Sequence, residues 1–221
     1  MSDFLVSRER LPEDAREPGV GAQVTVMLSL VLLLLLGMAG LAVDAAGAWR
    51  MSQSQSDTLT SARELVMNAQ EAVKYGLKQG GTTLAAPETV AALVKEYLED
   101  SAAAECMDLA KLTVYELPQS KSGPADRYIG VLIEFTGTYE TSFAQAIGVG
   151  EIPVESRTCF IVHPYATSKV WRPSTAADAI QVTYTPTGTK GAVSSKVTST
   201  SADWASLDAE LKGVLEDASG A

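Results

Sequence analysis

Two cysteines and one histidine are the residues of this chain that could carry nucleophilic or metal chemistry. They are Cys106, Cys159 and His163. Two thiols and one imidazole cannot fill a four-ligand zinc site unless a carboxylate joins them. Along an extended strand Cys159 and His163 would lie about 13 Å apart, too far for a nucleophile and its base. We therefore interpret them as structural residues and predict no catalytic, metal-binding or cofactor-binding residue.

The compartment of the chain decides what the cysteines do. Outside the cytoplasm, Cys106 and Cys159 could form a disulfide, which would close a loop of about 50 residues and stabilise the fold by roughly 4 kcal/mol. In the cytoplasm the same residues would act as small buried hydrophobic side chains. Both alternatives stay open until the orientation of the chain in a membrane is considered.

Motifs for phosphate and for divalent cations are missing from the sequence. Gly148-Val-Gly150 has too few glycines for a phosphate-binding loop and is typical of a turn. The segment Asp57-Thr-Leu-Thr-Ser61 departs from a metal-dependent adhesion motif, because Leu59 stands where a hydroxyl ligand is needed. The formal net charge of -10 repels phosphate backbones and disfavours nucleic acid as a partner. We predict that the chain is not an enzyme and needs no cofactor.

Residues 22–43 form an uncharged, largely apolar stretch near the N-terminus. They read AQVTVMLSLVLLLLLGMAGLAV, and as a helix they would reach about 33 Å, enough to cross the hydrocarbon core of a bilayer. A buried helix of a soluble protein is rarely apolar on all faces over such a length. A cleaved signal sequence is the alternative, since Ala46-Gly47-Ala48 has a small-x-small form. The apolar run exceeds the usual length of about 7–15 residues in such signals, which favours retention in the lipid bilayer.

Arginines on either side of this stretch indicate its orientation. Arg8, Arg10 and Arg16 precede it, whereas Arg50 and Arg63 follow within about 20 residues. The excess before the span favours an N-terminus on the inside. We predict a single-pass cell membrane protein with its main domain outside.

The periodicity of apolar residues predicts the remaining elements. Beyond the span, apolar residues continue to recur every three or four positions, which predicts one helix of about 50 residues. A second helix is predicted from Pro87 to about Cys106. Alternating patterns then predict strands, with a helical turn at 143–147 and a last helix capped by Asp203. The predicted strands span residues 112–117, 129–139, 152–162, 180–185 and 192–198. The predicted fold class is α+β: an N-terminal transmembrane helix continuing into a helical stalk, then a small antiparallel sheet with flanking helices.

Four parts follow from this organisation. Residues 1–21 are predicted to be a cytoplasmic head and residues 22–43 the transmembrane helix. Residues 44–106 are predicted to be the helical stalk. Residues 107–221 would then be an extracytoplasmic antiparallel sheet domain with a C-terminal helix.

The end of the apolar stretch and the helix after it carry a family resemblance. The matching residues are Gly37-Met-Ala-Gly-Leu-Ala-Val-Asp44, Trp49-Arg50, Gln55 and Asp57, with Gly40, Val43, Asp44 and Asp57 as the motif positions. A membrane helix that ends in Gly-x-Ala-Val-Asp and runs into a Gln- and Ala-rich helix resembles the TadE/TadG-like proteins of the Flp (Tad) pilus assembly system. Thr141-Ser-Phe143, Ile147-Gly148 and Ile152-Pro-Val154 are loosely similar as well.

This resemblance implies a pseudopilin-like or accessory pilus protein, with other membrane proteins of a pilus or secretion apparatus as partners. Gly21 is the candidate site for prepilin-type processing. Pilin subunits usually carry a glutamate at the fifth mature position, where this chain has Val26. That difference favours an unprocessed assembly factor, closer to TadG but without its metal-binding adhesion domain. The alternative is a signal-anchored extracytoplasmic binding or thiol-dependent enzyme domain that uses Cys159 and His163.

Overall fold

The computed structural model describes residues 19–101, 107–117, 128–163, 179–187, 192–199 and 204–219. Its helices are α1 (Gly19–Asn68), α2 (Gln70–Tyr75), α3 (Ala86–Asp100) and α4 (Ala209–Ser219). Its strands are β1 (Lys78–Gln79), β2 (Thr82–Thr83), β3 (Leu109–Glu116), β4 (Ile129–Glu140), β5 (Glu151–Val162), β6 (Ala179–Pro186) and β7 (Val193–Ser199). Short 3-10 turns lie at Ala144–Ile147 and Trp204–Ser206.

Helix α1 has two halves with different surroundings. It is 50 residues long, which corresponds to about 75 Å. All side chains from Gln23 to Ala39 are exposed. Beyond them, buried positions recur at helical spacing on one face: Gly40, Asp44, Gln55, Leu59, Ala62 and Val66. The second half of α1 therefore packs on the rest of the protein, whereas the first half extends beyond it.

The five longer strands form one antiparallel sheet in the order β5-β4-β3-β6-β7. Strands β4 and β5 make the longest pairing, which runs from Ile129 opposite Val162 to Glu140 opposite Glu151. The loop at the end of this long hairpin reaches α1, as described below. Strands β1 and β2 form a separate small hairpin whose turn, Gly80-Gly81, has positive φ at both residues.

The sheet has helices on both faces. On one face α1 and α3 cover a hydrophobic core that includes Val66, Val94, Leu112, Ile133 and Val182. On the other face Leu207, Leu211 and Leu215 of the C-terminal segment pack against Tyr115, Leu132 and Ala179. A side chain at Gly130 would place its Cβ 2.7 Å from the Leu211 Cδ1 atom, so glycine allows α4 to approach the sheet closely.

Much of this architecture agrees with the predicted α+β class: a long N-terminal apolar helix precedes a small antiparallel sheet with flanking helices. The predicted boundary at residue 106, however, separates elements that share one hydrophobic core, because α1 and α3 pack directly on the sheet. Helices α1 and α3 thus contribute one layer of the same folded unit as the sheet.

The start of the last helix also differs from the prediction. Helix α4 begins at Ala209, and the Asp208 carboxylate accepts a 2.8 Å hydrogen bond from the Glu210 backbone N–H. The predicted cap, Asp203, lies outside the described residues. Trp204, expected on the helix, lies in a 3-10 turn before it. Trp204 and Leu207 precede Leu211 at steps of three and four residues, so the apolar period alone placed the start of the helix too early.

Candidate functional site

The first half of α1 presents an apolar surface on all its faces. Leu33 and Leu36 are each 67% exposed, and Met27 is 71% exposed. The helix is long and apolar enough to cross a membrane, and almost none of its apolar stretch is buried in the protein. Burial in a protein core therefore does not account for these leucines, and the arrangement is compatible with a single membrane span.

Asp44 lies directly after the apolar stretch and holds the loop between β4 and β5. Its side chain is 1% exposed. The carboxylate accepts backbone hydrogen bonds from Ser142 (2.9 Å), Phe143 (2.9 Å) and Ala144 (2.6 Å). These N–H groups open the 3-10 turn and have no partner within it, and a charged acceptor makes their bonds stronger than neutral ones. One side chain of α1 thus fixes a loop about a hundred residues away in the sequence.

Two glycines on the same face of α1 allow this close approach. Gly40 and Gly47 lie four residues before and three residues after Asp44, and so share its side of the helix. A Cβ at Gly40 would lie 2.6 Å from the Phe143 Cβ atom, and one at Gly47 would lie 2.1 Å from the Tyr139 hydroxyl oxygen. We refer to Gly40, Asp44 and Gly47 with the loop residues they touch as the Asp44 contact site.

The loop itself is closed by its own hydrogen bonds. The Thr141 N–H donates to the Gly150 carbonyl at 2.9 Å, and the Thr141 hydroxyl donates to the Val149 carbonyl. The Val149 N–H donates to the Ala144 carbonyl, and Gly148 has a φ of 89°, which favours glycine at this position. The closed loop still exposes three apolar side chains: Phe143 (54%), Ile147 (69%) and Val149 (44%).

The structure separates the four family-motif positions into two groups. Gly40 and Asp44 belong to the Asp44 contact site, whereas Val43 is 56% exposed and Asp57 is also exposed. Asp57 lies on an outward surface of α1 with Trp49 and Arg50. Gln55, which the resemblance also includes, is fully buried on the packed face.

Gly21, the candidate processing site, lies within the first turn of α1. Cleavage after it would remove only the first residues of that helix and leave the exposed leucines of the span in place. Processing at Gly21 stays a prediction.

Cys159 lies within β5, and His163 directly follows the end of that strand. The Cys159 thiol forms no disulfide with any of the described residues; it is half-buried and packs with the residues under α4. Burial, followed by the Glu210 and Asp208 carboxylates, raises the pKa of the thiol to about 11, so it is a weak nucleophile at neutral pH. The His163 ring stacks on Tyr128 with 4.7 Å between ring centroids. Cys106 lies outside the described residues, and its pairing with Cys159 stays a prediction.

Within the described ranges, no cluster of three or more His, Cys, Asp or Glu side chains could hold a metal ion. The contact between Asp44 and the loop is the feature that sequence reasoning missed. A signal for it exists: residues 141–150 contain no charge, in a chain in which 20% of residues are charged. An uncharged loop between Glu140 and Glu151 indicates a special environment, but it does not identify the residue that the loop contacts.

Comparison of the chain with protein-family models, with curated proteins and with solved structures finds no match.

Proposed function

We propose that this chain is a membrane-anchored accessory protein of a Flp (Tad)-type pilus or a related secretion apparatus. The observation that carries the proposal is the division of α1. Its first half is apolar and exposed on every side, and its second half is packed along an antiparallel sheet. Such a helix is suited to hold a folded unit at the membrane surface while it offers its apolar half to other membrane helices.

The proposed orientation places the N-terminus inside and the sheet outside. The arginine excess before the span supports it. The Gly40-Leu-Ala-Val-Asp44 ending and the Gln-rich continuation support the pilus assignment through their resemblance to TadE/TadG-like proteins. The thiol-dependent alternative has weaker support, because the raised pKa of Cys159 keeps its thiol protonated at neutral pH.

Association with other membrane helices depends on small residues that allow close approach. Gly37 lies in the exposed half of α1, and a Cβ there would meet no other side chain or element among the described residues within 4 Å. It is therefore open to a neighbouring helix, in contrast to Gly40, which Phe143 covers. Gly37 is our candidate for contact with another component of the apparatus.

Affinity purification from detergent-solubilised native membranes, with identification of bound proteins by mass spectrometry, tests the proposal. We expect the chain to retain membrane proteins of a pilus or secretion apparatus. Gly37→Leu should reduce this retention, whereas Val197→Ser on the outer strand β7 should leave it unchanged. Failure to retain any such component would reject the proposed function.

The mass of the intact protein from the same membranes tests the accessory role separately. An unprocessed accessory protein keeps residues 1–21. A mass that corresponds to cleavage after Gly21 would contradict this role and favour a matured pseudopilin.

A further inference from the structure

The Asp44 contact site places the β4–β5 loop beside the end of the apolar stretch. Gly40 lies three residues before Val43, which corresponds to about 4.5 Å along the helix axis toward the middle of the span. The Phe143 side chain lies directly against Gly40. If residues 22–43 cross a bilayer, as the proposed function requires, then Phe143 lies at the depth where the span enters the lipid.

The surface that the loop presents at this depth is apolar. Phe143, Ile147 and Val149 are exposed although they are hydrophobic, and no charged residue occurs from Thr141 to Gly150. The nearest charged residues along the sequence are Glu140 and Glu151, which lie opposite each other at the base of the hairpin. Charged residues thus flank an uncharged loop on both sides in the sequence, as expected for a segment that enters an apolar medium and returns.

Irregular backbone enters an apolar medium only when its polar groups have partners. Asp44 accepts the N–H groups of Ser142, Phe143 and Ala144. Within the loop, the N–H groups of Ala146, Gly148 and Val149 donate to loop carbonyls. The loop therefore carries much of its hydrogen bonding internally or to Asp44, and needs less water than an open loop of the same length.

We propose that residues 142–149 form a second membrane contact, in which Phe143, Ile147 and Val149 insert into the interface of the leaflet on the sheet side. This inference rests on the membrane anchoring contained in the proposed function. Insertion beside α1 gives the folded unit two points of attachment to the lipid, and so sets the angle of the sheet relative to the membrane. Asp44 is a positioning residue for this contact.

Spin labelling of the full-length chain in phosphatidylcholine proteoliposomes tests the insertion. Cys106 and Cys159 are replaced by serine, and a label is attached in turn to Ile147→Cys, Leu34→Cys or Val197→Cys. Leu34 is the reference within the span, and Val197 is an aqueous reference with an exposure of 55%, comparable with that of the loop residues. Collision with oxygen reports lipid, and collision with a water-soluble nickel chelate reports water.

We expect the label at residue 147 to favour oxygen over the chelate, as at residue 34 and opposite to residue 197. If the chelate reached the label at residue 147 as readily as the label at residue 197, while the label at residue 34 still reported lipid, the loop contact would be overturned. The membrane anchor would then remain supported. A label at 147 that neither reagent reaches would mean that protein covers the loop, which also overturns it. Chelate access at residue 34 would instead reject the membrane anchor itself.

Asp44→Ala in the labelled Ile147→Cys background tests the positioning role. Without the carboxylate, we expect the label at 147 to become more mobile and more accessible to the chelate. Asp57→Ala, which removes an exposed acid from the same helix, should change neither property. An unchanged depth in the Asp44→Ala variant would overturn the role assigned to Asp44.

Discussion

Asp44 combines two properties that rarely occur together at the end of an apolar helix. It is a carboxylate, which is costly to bury without partners, and it is almost fully buried. The three backbone N–H groups of the β4–β5 loop resolve this conflict, because they surround the charge with donors. An aspartate that only marked the boundary between lipid and water would have no need of such partners.

Gly40 provides a sharp test of the Asp44 contact site. Gly40→Ala would place a methyl group against the Phe143 Cβ atom, which is fixed to the loop backbone and cannot move aside easily. We expect a loss of about 1–3 kcal/mol in stability, the usual cost of an overpacked contact. Thermal unfolding in a mild detergent measures this loss of stability as a lower midpoint temperature for the variant than for the unchanged chain.

Gly37→Ala is the matched control, since it makes the same change one turn away, where a Cβ meets nothing within 4 Å in the described part of the chain. Its unfolding midpoint should be unchanged or slightly higher, because alanine is the better helix former. Equal midpoints for Gly40→Ala and Gly37→Ala would contradict the close contact between α1 and the loop.

Cys159 should react slowly with alkylating reagents. A pKa of about 11 leaves far less thiolate at pH 8 than an ordinary cysteine has, and the thiolate is the reactive form. With an ordinary thiol pKa of about 8.5, the difference corresponds to roughly two orders of magnitude in rate. The rate of iodoacetamide labelling in a Cys106→Ser variant checks this, and unfolding in denaturant should restore ordinary reactivity. Labelling of the folded chain at the rate of a free thiol would contradict the burial of Cys159 beneath α4.

At the scale of elements, the sequence predicts those structures that depend on local periodicity. The α1 helix, the strand from residue 129 and the helical turn after Phe143 all follow from apolar spacing and appear at the expected places. Helix α3 ends at Asp100 rather than near residue 106. Its apolar face ends with Leu98, and the residues after it are acidic or small, so the period alone does not define its end.

Contacts between distant segments could not be predicted in the same way. Asp44 and its partners are 98 to 100 residues apart in the sequence. The apolar face of the second half of α1 indicates that this half packs on something, but no local pattern identifies the sheet as its partner. The glycines at 40 and 47 are consistent with a membrane helix as well as with a close loop contact. Only the folded structure distinguishes these interpretations.

The packing of α4 on the sheet carries its own prediction. Leu211 is fully buried and lies against Gly130. Leu211→Ala should lower the free energy of unfolding by about 2–5 kcal/mol, because it leaves a cavity between the helix and the sheet. Asp217→Ala on the exposed side of the same helix should change it by less than about 0.5 kcal/mol. Denaturant unfolding in detergent compares the two, and a small effect of Leu211→Ala would contradict the assignment of α4 to this face.

At the scale of the whole molecule, α1 joins two environments. Its first half is long and apolar enough to cross a membrane, and its second half is one layer of a folded unit that includes the sheet, α3 and α4. Because the helix is continuous from Gly19 to Asn68, a tilt or displacement of the span moves the sheet with it. This rigid connection is useful for an assembly factor that must hold a binding surface in a fixed relation to the membrane.

The most direct measurement of the central claim is photo-crosslinking from the apolar half of α1 in intact cells. A photoreactive amino acid replaces Leu33, which is 67% exposed, or Val197 as a control on the outer strand. We predict that the residue at 33 crosslinks to a membrane protein of a pilus or secretion apparatus, and that the residue at 197 does not give the same product. Crosslinks from residue 33 to lipid alone, or to membrane proteins unrelated to such an apparatus, would contradict the proposed function.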